Sequence, residues 1–219
     1  MAGNFKSVEV AIGARELEGI LNLPQAPMGL IVFAHGSGSS RFSPRNNFVA
    51  ERLVGCGFAT LLLDLLTDEE ARDRRNVFDI ELLGARVDDA MAWAAQASDF
   101  RDLPIGLFGA STGAAAALVA AAQAPERVAA VVSRGGRPDL AGAALRLVRA
   151  PTLLIVGGAD YEVLELNREA LRQLCCEARL DVVPGATHLF EEPGTLDQVV
   201  AHASDWFVGH VPQKRKPQG

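Results

Sequence analysis

A serine in a glycine-bounded turn is the strongest chemical feature of this sequence. The run Gly109-Ala110-Ser111-Thr112-Gly113 fits the pattern G-x-S-x-G and lies between an apolar stretch and a run of alanines. In this pattern the serine occupies a strained strand-to-helix turn that exposes its hydroxyl. The glycines are needed because the strand and the helix approach so closely that a side chain would collide. The pattern therefore predicts a nucleophilic Ser111.

A serine hydroxyl is a poor nucleophile until a base takes its proton, and the sequence offers that base. His188 lies in a loop bounded by proline and glycine, and Asp160 follows a Gly-Gly turn after an earlier strand. His188 would accept the proton of Ser111 and later protonate the leaving group, while Asp160 would hold the imidazole in the right tautomer. The chain order Ser, Asp, His is typical of serine hydrolases built on a mostly parallel sheet.

Other histidines and acids fit these roles less well. His35 ends a strand and is expected to line the site, whereas His202 and His210 lie on or near the last helix and are expected at the surface. Asp64 also ends a strand, so it stays open as a reserve for the acid. The remaining nearby acids are expected to face solvent: Glu162, Glu191 and Glu192.

Strands and helices that alternate along the chain must position these residues. Alternating polar and apolar residues predict an antiparallel hairpin over 5–12 and 16–23. Continuous apolar runs predict buried strands before Ser111 and over 29–34, 58–63, 128–133, 151–156 and 180–183. Helices are expected after Ser111 and over 44–53, 77–97, 140–148, 163–174 and 196–208, with a charged loop over 67–75.

This alternation predicts an α/β fold in which a mostly parallel, twisted sheet carries helices on both faces. The 219 residues suit a single domain over 1–210 with a flexible basic tail over 211–219. Functional groups gather at the carboxyl ends of strands in such sheets. Only residues 134–150 separate the strands predicted over 128–133 and 151–156, which follow the helix after Ser111. We therefore expect no cap domain and an open, shallow site.

Composition excludes several other classes of protein. Hydrophobic residues make up 49% of the chain, and the net charge is −6, so nucleic acid is not an expected partner. No signal peptide and no membrane-spanning run are expected, and the three cysteines form no disulfide framework or thiolate zinc site. We therefore expect a cytoplasmic protein, with Cys56 buried. A monomer and a homodimer both stay open.

The sequence resembles the α/β-hydrolase superfamily, in particular small lidless serine hydrolases similar to dienelactone hydrolase. The resemblance covers nearly the whole chain and rests on four segments, which are His35-Gly36-Ser37-Gly38, Gly109–Gly113, Gly158-Ala159-Asp160 and Gly185-Ala186-Thr187-His188. It implies an α/β-hydrolase fold without a cap domain. It also implies an oxyanion hole made by the backbone N–H groups of Thr112 and Ser37, with Gly38 in reserve.

The function we expect is hydrolysis of carboxylic esters through Ser111, His188 and Asp160, with lactones and thioesters left open. No metal or organic cofactor is needed for this chemistry. Dienelactone hydrolases use a cysteine nucleophile, so the serine here favours an ordinary ester over a dienelactone. Acyl-transfer or C–C chemistry on the same residues is an alternative, as is a non-catalytic binding protein on a hydrolase scaffold. The intact Ser-Asp-His set argues against the latter.

Four arginines follow strand ends and could overlook the catalytic face: Arg41, Arg45, Arg134 and Arg137. Guanidinium groups bind carboxylate or phosphate in a bidentate manner, so we hypothesise that Arg134 or Arg41 selects anionic esters. The alternative is structural, with these arginines paired to Asp64, Asp139 or loop carbonyls.

Overall fold

An eight-stranded sheet forms the centre of the molecule. The computed structural model describes residues 5–211. The strands are β1 (Lys6–Ile12), β2 (Leu17–Leu23), β3 (Leu30–Ala34), β4 (Ala59–Leu63), β5 (Ile105–Ala110), β6 (Val128–Arg134), β7 (Thr152–Gly157) and β8 (Ala178–Val183). Their order in the sheet is β1-β2-β4-β3-β5-β6-β7-β8. Only the β1–β2 and β2–β4 pairs are antiparallel, and all other neighbours run parallel.

Helices cover both faces of this sheet, so the predicted α/β architecture is confirmed. They are α1 (Pro44–Gly55), α2 (Arg74–Val77), α3 (Ile80–Gln96), α4 (Thr112–Gln123), α5 (Tyr161–Gln173) and α6 (Thr195–His210). One hydrophobic core lies between one face of the sheet and helices α3 and α4. A second lies between the opposite face and helices α1 and α6. Strands β3, β4, β5 and β7 are buried along their whole length, which explains their continuous apolar sequences.

The link between β6 and β7 carries no separate cap domain. It contains the 3₁₀ segment Pro138–Leu147, which is interrupted where Gly142 adopts a φ of 52°. The single helix predicted over 140–148 is therefore wrong, because a left-handed residue stops a regular helix from continuing.

The segment between β4 and α3 is more ordered than the charged loop predicted over 67–75. It forms a 3₁₀ turn, Glu70–Arg72, followed by α2. The long helix α3 begins at Ile80 rather than at 77, because Asp79 caps it by accepting the Leu82 N–H at 3.0 Å. The carboxylate of Glu70 holds the segment against the domain through two arginines, as described below.

Burial contradicts one further expectation. Cys56 is exposed at the end of α1, so the prediction that it is buried is wrong: a helix C-cap side chain there points to solvent. Val211, the first residue of the predicted tail, packs into the core beside α1 and α6, and residues 212–219 lie outside the described residues. Within residues 5–211, no helix is long and apolar enough to cross a membrane.

Candidate active site

The turn between β5 and α4 presents Ser111. Its backbone has φ 51° and ψ −123°, a conformation that is costly for any residue with a Cβ. Two backbone hydrogen bonds fix the turn to the end of β6 and the residues after it. The Ser111 N–H donates to the Arg134 carbonyl at 3.3 Å, and the Ser111 carbonyl accepts from the Arg137 N–H at 3.0 Å. The Ser111 side chain does not cap α4, so its hydroxyl is not committed to the helix that follows.

Glycines make this turn sterically possible, as the sequence predicts. A Cβ on Gly109 would overlap the backbone of Ala114, and one on Gly113 would overlap the carbonyl oxygen of Ala34. Gly36 has the same steric role, because a Cβ there would lie 2.8 Å from the Cβ of Ser111. The loop after β3 therefore passes directly beside the candidate nucleophile.

Asp160 and His188, predicted from loops far apart in sequence, meet in the structure. Asp160 lies between β7 and α5, and His188 lies in the loop after β8. His188 Nδ1 is 2.7 Å from Asp160 Oδ2, and the two side chains are 38% and 15% exposed. With Nδ1–H donating to the carboxylate, Nε2 of a neutral imidazole is left as the acceptor that a base needs.

A second carboxylate fixes the loop that carries His188. Glu192 accepts the Thr187 N–H at 3.1 Å and the Thr187 hydroxyl at 2.6 Å. These bonds lower the pKa of Glu192. Glu192 was expected only to face solvent, but it orders the histidine loop.

The turn Arg134-Gly135 at the end of β6 contacts both Ser111 and the loop that carries His188. The Arg134 carbonyl accepts the N–H of Ser111, and a Cβ on Gly135 would lie 3.1 Å from the His188 carbonyl oxygen and 3.7 Å from its Cε1. Ser111 and His188 therefore border the same turn at the end of β6. Asp64, the reserve acid, lies at the end of β4 and is paired with Arg41 instead.

The two N–H groups expected to form an oxyanion hole differ in their surroundings. Thr112 begins α4, and the first N–H groups of a helix have no partner within the helix. The Ser37 N–H, by contrast, donates to the Thr112 hydroxyl at 2.9 Å. The structure thus brings the predicted loop and Thr112 together, with the N–H of Ser37 already bonded to a side chain.

His35 lies in the loop after β3, and two hydrogen bonds hold its ring in one neutral tautomer. Its Nε2 accepts the Leu65 N–H at 3.2 Å, so Nδ1 carries the proton and donates to the Gly36 carbonyl at 2.9 Å. Burial is the main cause that lowers the pKa of His35, and the Gly36 carbonyl and the Asp64 carboxylate oppose this only in part. The ring connects the oxyanion loop to the segment after β4.

The arginines separate into two groups. Arg41 bonds Asp64 and lies 2.7 Å from Glu18, so it has the structural role that we weighed as the alternative. Arg45 and Arg137 pair with carboxylates in the same way, namely Glu191 and Asp139.

Arg134 is different, because it is 7% exposed and its hydrogen bond is to Asn46 Oδ1 at 3.3 Å. No carboxylate within residues 5–211 pairs with it, and its Nε and Nη1 have no hydrogen-bond partner among them. Burial, and then the charge of Arg45, lower its pKa to about 10.

A cavity of about 230 Å³ opens beside the predicted oxyanion residues. The loop 35–40 and Thr112 form one side of it, and Leu65, Leu66, Val77 and Leu83 line the other. A site without a cap domain is therefore not flat at this end.

The model of the dienelactone hydrolase family matches residues 17–207. The chain belongs to the dienelactone hydrolase family. The match includes Ser111, Asp160 and His188 together with the strands that position them. Family and fold together support a hydrolase of the ester and lactone type.

A solved structure agrees with this assignment over nearly the full chain. The dienelactone hydrolase from Anabaena variabilis ATCC 29413 is 52% identical and superposes with a TM-score of 0.91, covering 97% of this chain and 100% of that one. Est1E from Butyrivibrio proteoclasticus shares the fold at 16% identity, with a TM-score of 0.77 over 93% of this chain and 98% of its own.

Two curated relatives, from two strains of Mycobacterium tuberculosis, carry the provisional name phosphoribosyl transferase. Each is 61% identical over 206 residues, which cover 94% of this chain and 46% of the relative. The chain thus spans about half the length of the curated relatives that it matches.

Proposed function

We propose that this family member is a serine hydrolase that cleaves carboxylic esters through an acyl-enzyme on Ser111. The observation that carries the proposal is the 2.7 Å contact between His188 Nδ1 and Asp160, at a turn that also borders the strained Ser111. A nucleophile, a base and a group that orients the base are the three parts that acyl transfer needs.

In the first half-reaction, Ser111 Oγ attacks the ester carbon as its proton passes to His188 Nε2. The carbonyl π electrons move to the oxygen, where the Thr112 N–H stabilises the negative charge. The intermediate then collapses: the bond to the alcohol oxygen breaks, and His188 gives its proton to that oxygen. Asp160 stabilises the imidazolium between these two proton transfers.

The second half-reaction repeats these steps with water. Water attacks the acyl carbon as one of its protons passes to His188 Nε2. The bond between the acyl carbon and Ser111 Oγ then breaks, and the histidine returns the proton to Oγ. The products are the carboxylic acid and the free enzyme, so atoms and charge balance without a metal or an organic cofactor.

The proposed substrate class is based on the nucleophile and on two side chains that the sequence predicts to bind substrate. A serine at position 111 favours esters over the dienelactones that cysteine-dependent relatives cleave, with lactones and thioesters still within reach of the same mechanism. His35 lines the site, and Arg134 is the arginine left to bind an anionic group of a substrate. The transferase name of the curated relatives is not carried over, because the match covers 46% of their length and is itself the region of the hydrolase family.

A small-molecule ester is the partner that this proposal requires, in a monomer or a homodimer. A cytoplasmic location belongs to the same proposal. It is supported by the free thiols of Cys56, Cys175 and Cys176, since a reducing compartment keeps thiols unpaired.

Hydrolysis of p-nitrophenyl esters from acetate to octanoate tests the proposal. Wild type should turn over at least the short esters, and Ser111→Ala should lose roughly 10⁴-fold or more in kcat. A fluorophosphonate should label Ser111, and His188→Ala should abolish the labelling. A folded protein that shows neither turnover nor labelling would instead be the non-catalytic binding protein.

A further inference from the structure

The cavity beside Thr112 has a defined place relative to the reacting groups. The predicted oxyanion residues line it: Ser37, Gly38 and Thr112. Neither Ser111 nor His188 is among its lining residues. Gly36 lines it, and a Cβ on Gly36 would lie 2.8 Å from the Cβ of Ser111, whereas His188 lies against Gly135. The cavity therefore adjoins Ser111 through Gly36 and Thr112, whereas His188 contacts Gly135, which does not line the cavity.

The reacting carbon of the tetrahedral intermediate has four bonds, and their directions indicate which part of the substrate could enter the cavity. One bond goes to Ser111 Oγ, and one goes to the oxyanion at the Thr112 N–H. The bond to the alcohol must point toward His188, because that imidazole protonates the departing oxygen. The remaining bond, to the acyl chain, then points away from His188. We propose that the cavity is the pocket that binds the acyl chain of the ester. This inference rests on the ester hydrolase function proposed above.

The chemistry of the lining specifies an uncharged, apolar acyl group. Leu65, Leu66, Val77 and Leu83 supply apolar walls, whereas the charged groups in the lining are both acidic, Asp64 and Asp68. Asp64 is already paired with Arg41, and Asp68 is exposed at the rim. A carboxylate at the end of an acyl chain would be repelled by these acids, and no cation in the lining would compensate. It would also lose its hydration shell on entering the pocket. The pocket therefore disfavours an anionic acyl group.

The volume sets the length of that group. A cavity of about 230 Å³ has room for several methylene groups, because roughly 10–15 Å³ of such space already admits one water molecule. Each methylene transferred from water to an apolar pocket stabilises the bound state by about 0.8 kcal/mol, which corresponds to a factor of about four. We expect kcat/KM to rise by this factor per methylene from acetate until the pocket is full.

The wall of the pocket is held in place before a substrate binds. Glu70, at the centre of the segment between β4 and α3, pairs with Arg86 at 2.8 Å and with Arg15 at 3.1 Å. It also accepts the Thr67 N–H at 3.1 Å. The segment that carries Leu65, Leu66 and Val77 is therefore tied to α3 and to the hairpin at the edge of the sheet.

Two variants with opposite effects test the pocket. Val77→Phe narrows it and should lower kcat/KM for p-nitrophenyl hexanoate by roughly tenfold while acetate changes by less than about twofold. Leu66→Ala widens it and should move the optimum to a longer acyl chain. The matched control is Val208→Phe, the same change at an exposed position of α6 outside the cavity, which should leave the chain-length profile unchanged.

A charged probe tests the specificity. The mono-p-nitrophenyl ester of adipic acid has the chain length of the hexanoate with a carboxylate at its end, and wild type should cleave it at least tenfold more slowly. Equal losses on acetate and hexanoate in Val77→Phe, with an unshifted optimum in Leu66→Ala, would overturn the pocket assignment while leaving the hydrolase intact. Absence of any Ser111-dependent turnover and labelling in wild type would overturn the hydrolase, and the pocket assignment with it.

Discussion

The backbone N–H of Ser37 donates to the side-chain hydroxyl of Thr112 at 2.9 Å, across 75 positions of sequence. Thr112 is 5% exposed and the bond is partly buried, so leaving the Ser37 N–H unpaired there would be costly. The residue after the candidate nucleophile therefore has two tasks. Its N–H is the oxyanion donor that we propose, and its hydroxyl accepts the N–H of the loop that passes beside Ser111.

Thr112→Val should lower kcat by about tenfold, because the oxyanion loop loses its anchor while the Thr112 N–H remains. Thr112→Ser keeps the hydroxyl and should stay within about twofold of wild type. Both effects are far smaller than that of Ser111→Ala, and KM should change little in either variant. Steady-state kinetics on a short ester measures this. A Thr112→Val enzyme as fast as wild type would show that the bond to Ser37 plays no part in positioning the loop.

The strain at Ser111 predicts a gain in stability when the Cβ is removed. A non-glycine residue at φ 51°, ψ −123° costs about 1–3 kcal/mol, and glycine avoids this at an entropic cost of about 0.5–1 kcal/mol. Ser111→Gly should thus exceed Ser111→Ala in free energy of unfolding by about 1 kcal/mol. Urea denaturation of the two inactive variants measures the difference. Equal stabilities would mean that the turn relaxes around an alanine.

Arg134 should lower the free energy of unfolding and, at the same time, favour anionic substrates. Its burial without a carboxylate partner in the described part of the chain is unfavourable, so Arg134→Met should raise the free energy of unfolding by about 1–3 kcal/mol. The same variant, and Arg134→Gln, should lose roughly tenfold or more in kcat/KM for esters of anionic alcohols but less than twofold for neutral esters. Arg45→Gln, which removes a cation paired with Glu191, serves as the control.

An unchanged preference between neutral and anionic esters in Arg134→Gln would remove Arg134 from the substrate site. If Arg134→Met is at the same time less stable than wild type, the guanidinium has a structural role through Asn46 and the ring of Phe190, whose centroid lies 6.0 Å away.

The parts of the structure that sequence could predict are those with local causes. Continuous apolar runs identify β3 and β7 because both faces of those strands are covered. The glycines around Ser111 can be inferred because the backbone crossing at a strand-to-helix turn depends on a few adjacent residues. The sheet then gathers strand ends at one edge, which is why Asp160 and His188 could be expected near each other although 28 positions separate them.

The parts that sequence could not predict depend on long-range pairing of ordinary polar residues. Glu70 joins Arg86 and Arg15 from different elements, and nothing in the charged run around it indicates that it builds the wall of a cavity. An arginine is normally a surface residue, so the burial of Arg134 has no local signal. The hydroxyl of Thr112 reaches Ser37 only because β3 and β5 are neighbours in the sheet.

The neutral ring of His35 predicts a pH dependence of stability. Its pKa is lowered in the folded protein, chiefly by burial, so below about pH 6.5, the ordinary value, the unfolded chain binds a proton that the folded chain resists. His35 therefore contributes stability above that pH, and the contribution is lost as the pH falls. The difference in free energy of unfolding between wild type and His35→Asn should be largest near pH 7.5 and should shrink toward pH 5, measured by urea denaturation at each pH.

The physical cause is specific to one atom. A proton on His35 Nε2 would face the Leu65 N–H that this nitrogen now accepts, and Asp64 Oδ1, at 3.9 Å, lies beyond a hydrogen bond and compensates only in part. Protonation should therefore loosen the contact between the oxyanion loop and the segment after β4. A stability difference that stays constant from pH 7.5 to 5 would show that folding leaves the pKa of His35 unchanged, and one that grows as the pH falls would show that folding raises it. Either result would contradict a neutral ring held by the Leu65 N–H.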